Sequence, residues 1–142
     1  MKRSLRREIR VRCSQRHAFE VFSTKIDLWW PPSHRRYERS ELRLEPSVGG
    51  RFYERAESGE EHALGEVLAW EPPDRLAYTW WPGAVDGPTR VEVRFAADGE
   101  HTRVEVIHRE ADTTAWDERV AMFERSWTTV LGAFEGFVDR DA

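Results

Sequence analysis

Cysteine is nearly absent from this sequence: Cys13 is the only one in 142 residues. That excludes an internal disulfide and any cysteine cluster for zinc or an iron-sulfur centre, and the expectation for Cys13 is a buried, unreactive thiol. Long apolar runs are missing too. None approaches the ~20 residues that span a bilayer, and no hydrophobic signal segment follows the basic N-terminus, so the chain is expected in the cytoplasm and not in a membrane. Nor is there an excess of one charge: 22 Lys and Arg face 26 Asp and Glu, interspersed, for a formal net charge of -4. This is the pattern of a solvated surface rather than a nucleic-acid footprint. The one basic run, Lys2, Arg3, Arg6, Arg7, Arg10 and Arg12, is broken by Glu8, and the alternating Ile9 and Val11 make it a strand with a charged outer face.

Signatures of nucleotide, metal and nucleophile chemistry are equally scarce. There is no nucleophile elbow or glycine-rich phosphate loop, and Val48-Gly49-Gly50 leads into a strand, which makes it a turn or bulge. His17, His34, His62, His101 and His108 lack the paired spacing that presents two ligands to a metal. No cofactor and no metal are expected.

What the sequence does have is bulk: seven Trp and seven Phe, able to fill a core or line a cavity. The length suits one domain over residues 1–142. Leu5 to Arg12 alternates as a first strand, and Ser14 offers an N-cap oxygen to a short helix carrying Ala18, Val21 and Phe22. A second short helix is predicted from about Thr24 to Trp30, stopped by Pro31-Pro32. Six strands follow, at Glu38 to Leu44, Gly50 to Glu57, Ala63 to Glu71, Arg75 to Trp80, Thr89 to Ala97 and Thr102 to Glu110. They are separated by turn chemistry such as Ser58-Gly59, Pro72-Pro73-Asp74, Pro82-Gly83 and, most clearly, Asp98-Gly99. After residue 112 the period becomes helical: Val120, Phe123, Trp127, Val130, Leu131, Phe134, Phe137 and Val138 form one apolar stripe on a helix of some twenty residues, capped by Thr113 or Thr114. The order predicts an α+β domain in which a curved antiparallel sheet wraps a long C-terminal helix.

The same residues resemble a known family. Ala18 to Phe22, Leu28-Trp29-Trp30-Pro31, Glu45 to Arg51, Gly65 to Pro73, Arg75 to Trp80 and the Trp127 to Leu131 spacing are similar, in this order, to the activator of heat-shock protein 90 ATPase homologue-like group. That group lies within the START-like (SRPBCC) superfamily of polyketide cyclases and lipid-transfer proteins. The resemblance covers nearly the whole chain and implies a helix-grip fold with a cavity for a hydrophobic ligand. Ser126 stands where the family commonly has glycine. The chaperone activators that name the group carry a further N-terminal domain, for which 142 residues leave no room beside this one.

Strand parity and the helical stripe point Phe52, Glu54, Val67, Tyr78, Trp80, Val93, Phe95, Val106 and His108 toward Phe123, Trp127 and Leu131, with Trp29 and Trp30 near an entrance. These fourteen residues are the expected ligand-binding set. The leading functional expectation is a noncatalytic binder of a small hydrophobic or aromatic molecule, oriented by Tyr78 and His108. An alternative is a cyclase- or hydratase-type enzyme using Glu54, Tyr78 and His108 in acid-base work. A third is a regulator of the heat-shock chaperone ATPase in the stress response, contacting its partner through outward aromatics such as Trp81 and Trp116, which could equally form a homodimer surface.

Overall fold

A computed structural model describes residues 4–80, 89–109 and 116–141. Strand β1 (Ser4–Val11) leads into helix α1 (Gln15–Phe22), two 3-10 turns (Ile26–Leu28 and Pro32–His34), then β2 (Ser40–Leu44), β3 (Arg51–Ala56), β4 (Glu61–Glu71), β5 (Arg75–Trp80), β6 (Thr89–Asp98), β7 (His101–Arg109) and the terminal helix α2 (Trp116–Asp141). The seven strands form one antiparallel sheet in the order β1-β7-β6-β5-β4-β3-β2, so only β1 departs from sequence neighbours. The sheet curls around α2 as a half-barrel, the helix-grip architecture. The Pro82-Gly83 turn, Trp81, the Thr113 or Thr114 cap and the side chain of Trp116 lie outside the described residues.

Local chemistry accounts for these elements. Ser14, in extended backbone, accepts the His17 amide at 3.2 Å and starts α1, while Ser23 Oγ donates to the Phe19 carbonyl at 2.6 Å where that helix ends. The helix predicted from Thr24 to Trp30 is instead a single 3-10 turn at Ile26–Leu28. Tertiary bonds hold it in that form. Asp27 Oδ1 accepts from Arg35 Nη1 at 2.7 Å and from the Leu42 amide at 2.9 Å, and Trp29 Nε1 donates to the Val21 carbonyl at 2.8 Å.

On the concave side, Val67, Leu76, Tyr78, Val91, Val93, Phe95, Val104 and Val106 are buried against Phe123, Trp127, Val130, Leu131, Phe134 and Val138 of α2. Phe22, Trp29 and Phe134 meet ring to ring, and the Trp29–Trp30 contact joins them to a second group of Trp30, Phe52, Tyr78 and Trp80.

Candidate functional site

The apolar end of the β5–α2 seam contains a cavity of about 250 Å³, lined by Trp30, His34, Trp80, Met122, Phe123, Ser126, Trp127 and Val130. Each wall has its own support. Trp80 ends β5 on the same face as Tyr78, and its ring stands 5.9 Å from Trp30 and 5.6 Å from Phe52. Met122, Phe123, Ser126, Trp127 and Val130 recur at threes and fours along α2, which keeps them on adjoining faces of the helix.

The Trp30 and His34 wall belongs to the 3-10 segment, and a half-buried arginine and a buried glutamate hold it. The Arg35 guanidinium donates to Asp27 Oδ1 (2.7 Å), the Asp27 carbonyl (2.7 Å), the Ser40 carbonyl (3.1 Å) and the Trp30 carbonyl (3.0 Å), so it clamps the backbone under the indole. Glu54, 1% exposed, accepts the amides of Arg36 and Tyr37 at 3.0 Å each and the Ser40 hydroxyl at 2.7 Å. Trp30 Nε1 donates to the His34 carbonyl at 3.0 Å, which closes the turn on itself.

His108 lies behind the cavity and is fully committed. Trp127 Nε1, which can only donate, reaches His108 Nδ1 at 3.0 Å; Nε2 must then carry the proton and give it to Thr89 Oγ1 at 2.6 Å; that hydroxyl donates to the Trp80 carbonyl at 3.0 Å. Burial lowers the His108 pKa to about 3, so the ring is neutral at physiological pH.

Of the fourteen expected residues, Trp30, Trp80, Phe123 and Trp127 line the cavity. Phe52, Val67, Tyr78, Val93, Phe95, Val106 and Leu131 are buried in the core around it. Trp29, also in that core, borders instead a shallower, more polar groove with Arg35, Glu38 and Arg140. Glu54, Tyr78 and His108, grouped for acid-base work, do not line the cavity. Both Glu54 oxygens and both His108 nitrogens are occupied by structural bonds, and burial pushes the Tyr78 phenol far above its usual pKa. Val130 was placed on the helical stripe but outside the expected set, and sequence reasoning missed His34, Met122 and Ser126 as cavity residues. Ser126 carried the only signal, as a hydroxyl where the resembled family commonly has glycine, whereas no periodicity covers His34 in its turn. Among the described residues, no group of three or more His, Cys, Asp or Glu is arranged to hold a metal, and no helix is long and apolar enough to cross a membrane.

A curled sheet gripping a terminal helix, with an apolar cavity at the seam, defines a START-like protein. Residues 12–139 match the family described as activator of Hsp90 ATPase homolog 1-like protein, and the chain belongs to that family. No curated protein matches it. Among solved structures, the anthrahydroquino-gamma-pyrone synthase Txn09 is similar at 42% identity, over 74% of this chain and 75% of that one, with a TM-score of 0.55. The protein MLL2253 from Mesorhizobium loti shares the fold over 99% of both chains at 19% identity and a TM-score of 0.76. CalU16 from Micromonospora echinospora does so over 99% of this chain and 77% of that one, at 19% identity and a TM-score of 0.73.

Proposed function

We propose that the protein binds a small aromatic molecule in the cavity between the end of β5 and α2. The makeup of the cavity carries this reading: three indoles, Phe123, Met122 and Val130 surround about 250 Å³, with His34 and Ser126 as the polar lining side chains. At an interior packing density of about 0.74, that space suits a molecule of two or three fused rings. The relative Txn09, named as a synthase of an anthrahydroquino-gamma-pyrone, supports a fused-ring ligand.

Placing a ring in the cavity tests the proposal. Wild-type protein is expected to bind 1,8-dihydroxyanthraquinone with quenching of tryptophan fluorescence, and Ser126→Phe, which fills the space from α2, is expected to abolish the quenching while the protein stays folded. Undiminished binding by a folded Ser126→Phe variant would remove this cavity as the site.

The likeness to Txn09 favours a second reading, a cyclase-type enzyme acting on such a molecule. The imidazole for it would be His34 rather than His108. His34 lines the cavity and has only Nδ1 in a bond with a neighbouring side chain, to Ser33 Oγ at 2.8 Å. Turnover lost in His34→Gln with binding retained would support catalysis; equal turnover in both proteins would end it. Chaperone regulation rested on Trp81 and Trp116, whose side chains are not described, and draws support only from the family's name.

A further inference from the structure

Tyr78 is completely buried, and its hydroxyl has no hydrogen-bond partner among the described residues. A buried phenol usually finds one, because its donor has already been stripped of water on folding. Every other buried polar side chain along this seam is matched: Glu54 by three donors, His108 and Thr89 by the bond chain to the Trp80 carbonyl, and the Trp29, Trp30 and Trp127 indoles by carbonyl or imidazole acceptors. Tyr78 has no such partner, a state shared among the described residues only by Arg119 Nε, and its ring neighbours the cavity wall. It lies two residues from Trp80 on the same face of β5, with the two rings 6.4 Å apart, and the Phe52 ring touches both, at 5.1 and 5.6 Å. Trp80, only half-buried, thus both lines the cavity and neighbours the phenol ring.

We infer that Tyr78 is the deep recognition group of the cavity, donating its hydroxyl proton to a carbonyl oxygen on the ligand's ring system once the Trp80 ring turns aside. The ligand class is thereby narrowed to fused aromatics bearing a ring ketone, such as quinones, xanthones and pyrones. Burial keeps the phenol protonated at any working pH, so it acts as a donor and not as a base. The desolvation cost that normally weakens a new hydrogen bond was incurred on folding, so an arriving acceptor gains more from this hydroxyl than from an exposed one. The inference rests on the proposed binding function and sharpens it.

A matched pair of probes separates the two. 9-Fluorenone and fluorene share one three-ring skeleton and differ in a carbonyl against a methylene. By equilibrium dialysis, wild-type protein is expected to bind fluorenone at least tenfold more tightly than fluorene. Tyr78→Phe is expected to bind the two equally, with fluorene affinity unchanged. Because the hydroxyl has no protein partner to orphan, the ligand-free variant should melt no lower than wild type, so a folding failure does not confuse the result. Equal binding of both probes by wild type would leave the cavity reading standing and overturn the role of Tyr78. A preference for fluorenone that survives in Tyr78→Phe would assign the donor to His34 or Ser126 and overturn it as well. Failure of both probes to bind wild type would remove the cavity reading and this inference together.

Discussion

At the scale of the residue, the indole of Trp127 decides the state of His108, since a group that can only donate fixes the tautomer of the imidazole it meets. The folded protein holds this ring neutral, with a pKa lowered to about 3 by burial, whereas in the unfolded chain it titrates near 6.5. The unfolded state therefore binds one more proton than the folded state between these values, and stability falls as pH drops from about 6.5 toward 3, by up to about 1.4 kcal/mol per pH unit. Urea midpoints are expected to decline between pH 6.5 and 4.5 in wild type, with a slope about one proton shallower in His108→Gln; identical slopes would show that His108 carries none of the dependence. Glu54 is the second such residue. Parity placed it on the concave face, but parity does not reveal what meets a carboxylate, and its donors come from residues 36 and 37, before β2, and from Ser40 at its start. Glu54→Ala leaves two amides and a hydroxyl short of an acceptor and is expected to cost about 2–4 kcal/mol in urea denaturation, with Glu54→Gln intermediate.

At the scale of the element, β5 was legible to the residue, and the other strands to within about two, because period-2 patterns end at turn residues that are themselves visible. What alternation could not show is the bulging of β4. Its register with β3 slips between Phe52 and Tyr53, and its register with β5 slips between Val67 and Ala69, so Trp70 comes to share the inner face with Leu76 and packs edge-on against Phe19 at 5.2 Å. Gly65 stands between these slips. A Cβ there would overlap the backbone carbonyl of Thr79, whose hydroxyl also accepts the Glu66 amide at 2.8 Å. Backbone cannot yield as a flexible side chain does, so Gly65→Ala is expected to cost about 2–4 kcal/mol, read as a lower urea midpoint. A variant as stable as wild type would mean that β4 and β5 can part at this point without loss. The short helix predicted at Thr24 to Trp30 failed for the opposite reason. Its residues suit a helix, but Asp27 and Trp29 are drawn off by partners at Arg35, Leu42 and Val21, and a single 3-10 turn results.

At the scale of the molecule, the architecture was legible because each level agreed: alternating strands, short turns and one terminal helix whose stripe needs a concave face. The site was legible only as a region. Pattern identifies which side chains face inward, but whether inward-facing residues meet or leave a gap depends on packing at the scale of single rings, and so four of fourteen reached the cavity. The hydrogen-bond chain from Trp127 through His108 and Thr89 to the Trp80 carbonyl bears on how that gap can change size. It stitches α2 to β7, β6 and the end of β5 along the inner margin of the cavity, and parting the helix there breaks the Trp127–His108 bond and leaves Nδ1 of a neutral imidazole without its donor among apolar groups. The far margin, where Trp30 and His34 ride on a 3-10 turn, is fastened chiefly by the Arg35 guanidinium. The two margins are thus secured differently, the first by a relay of three side chains and the second by one guanidinium.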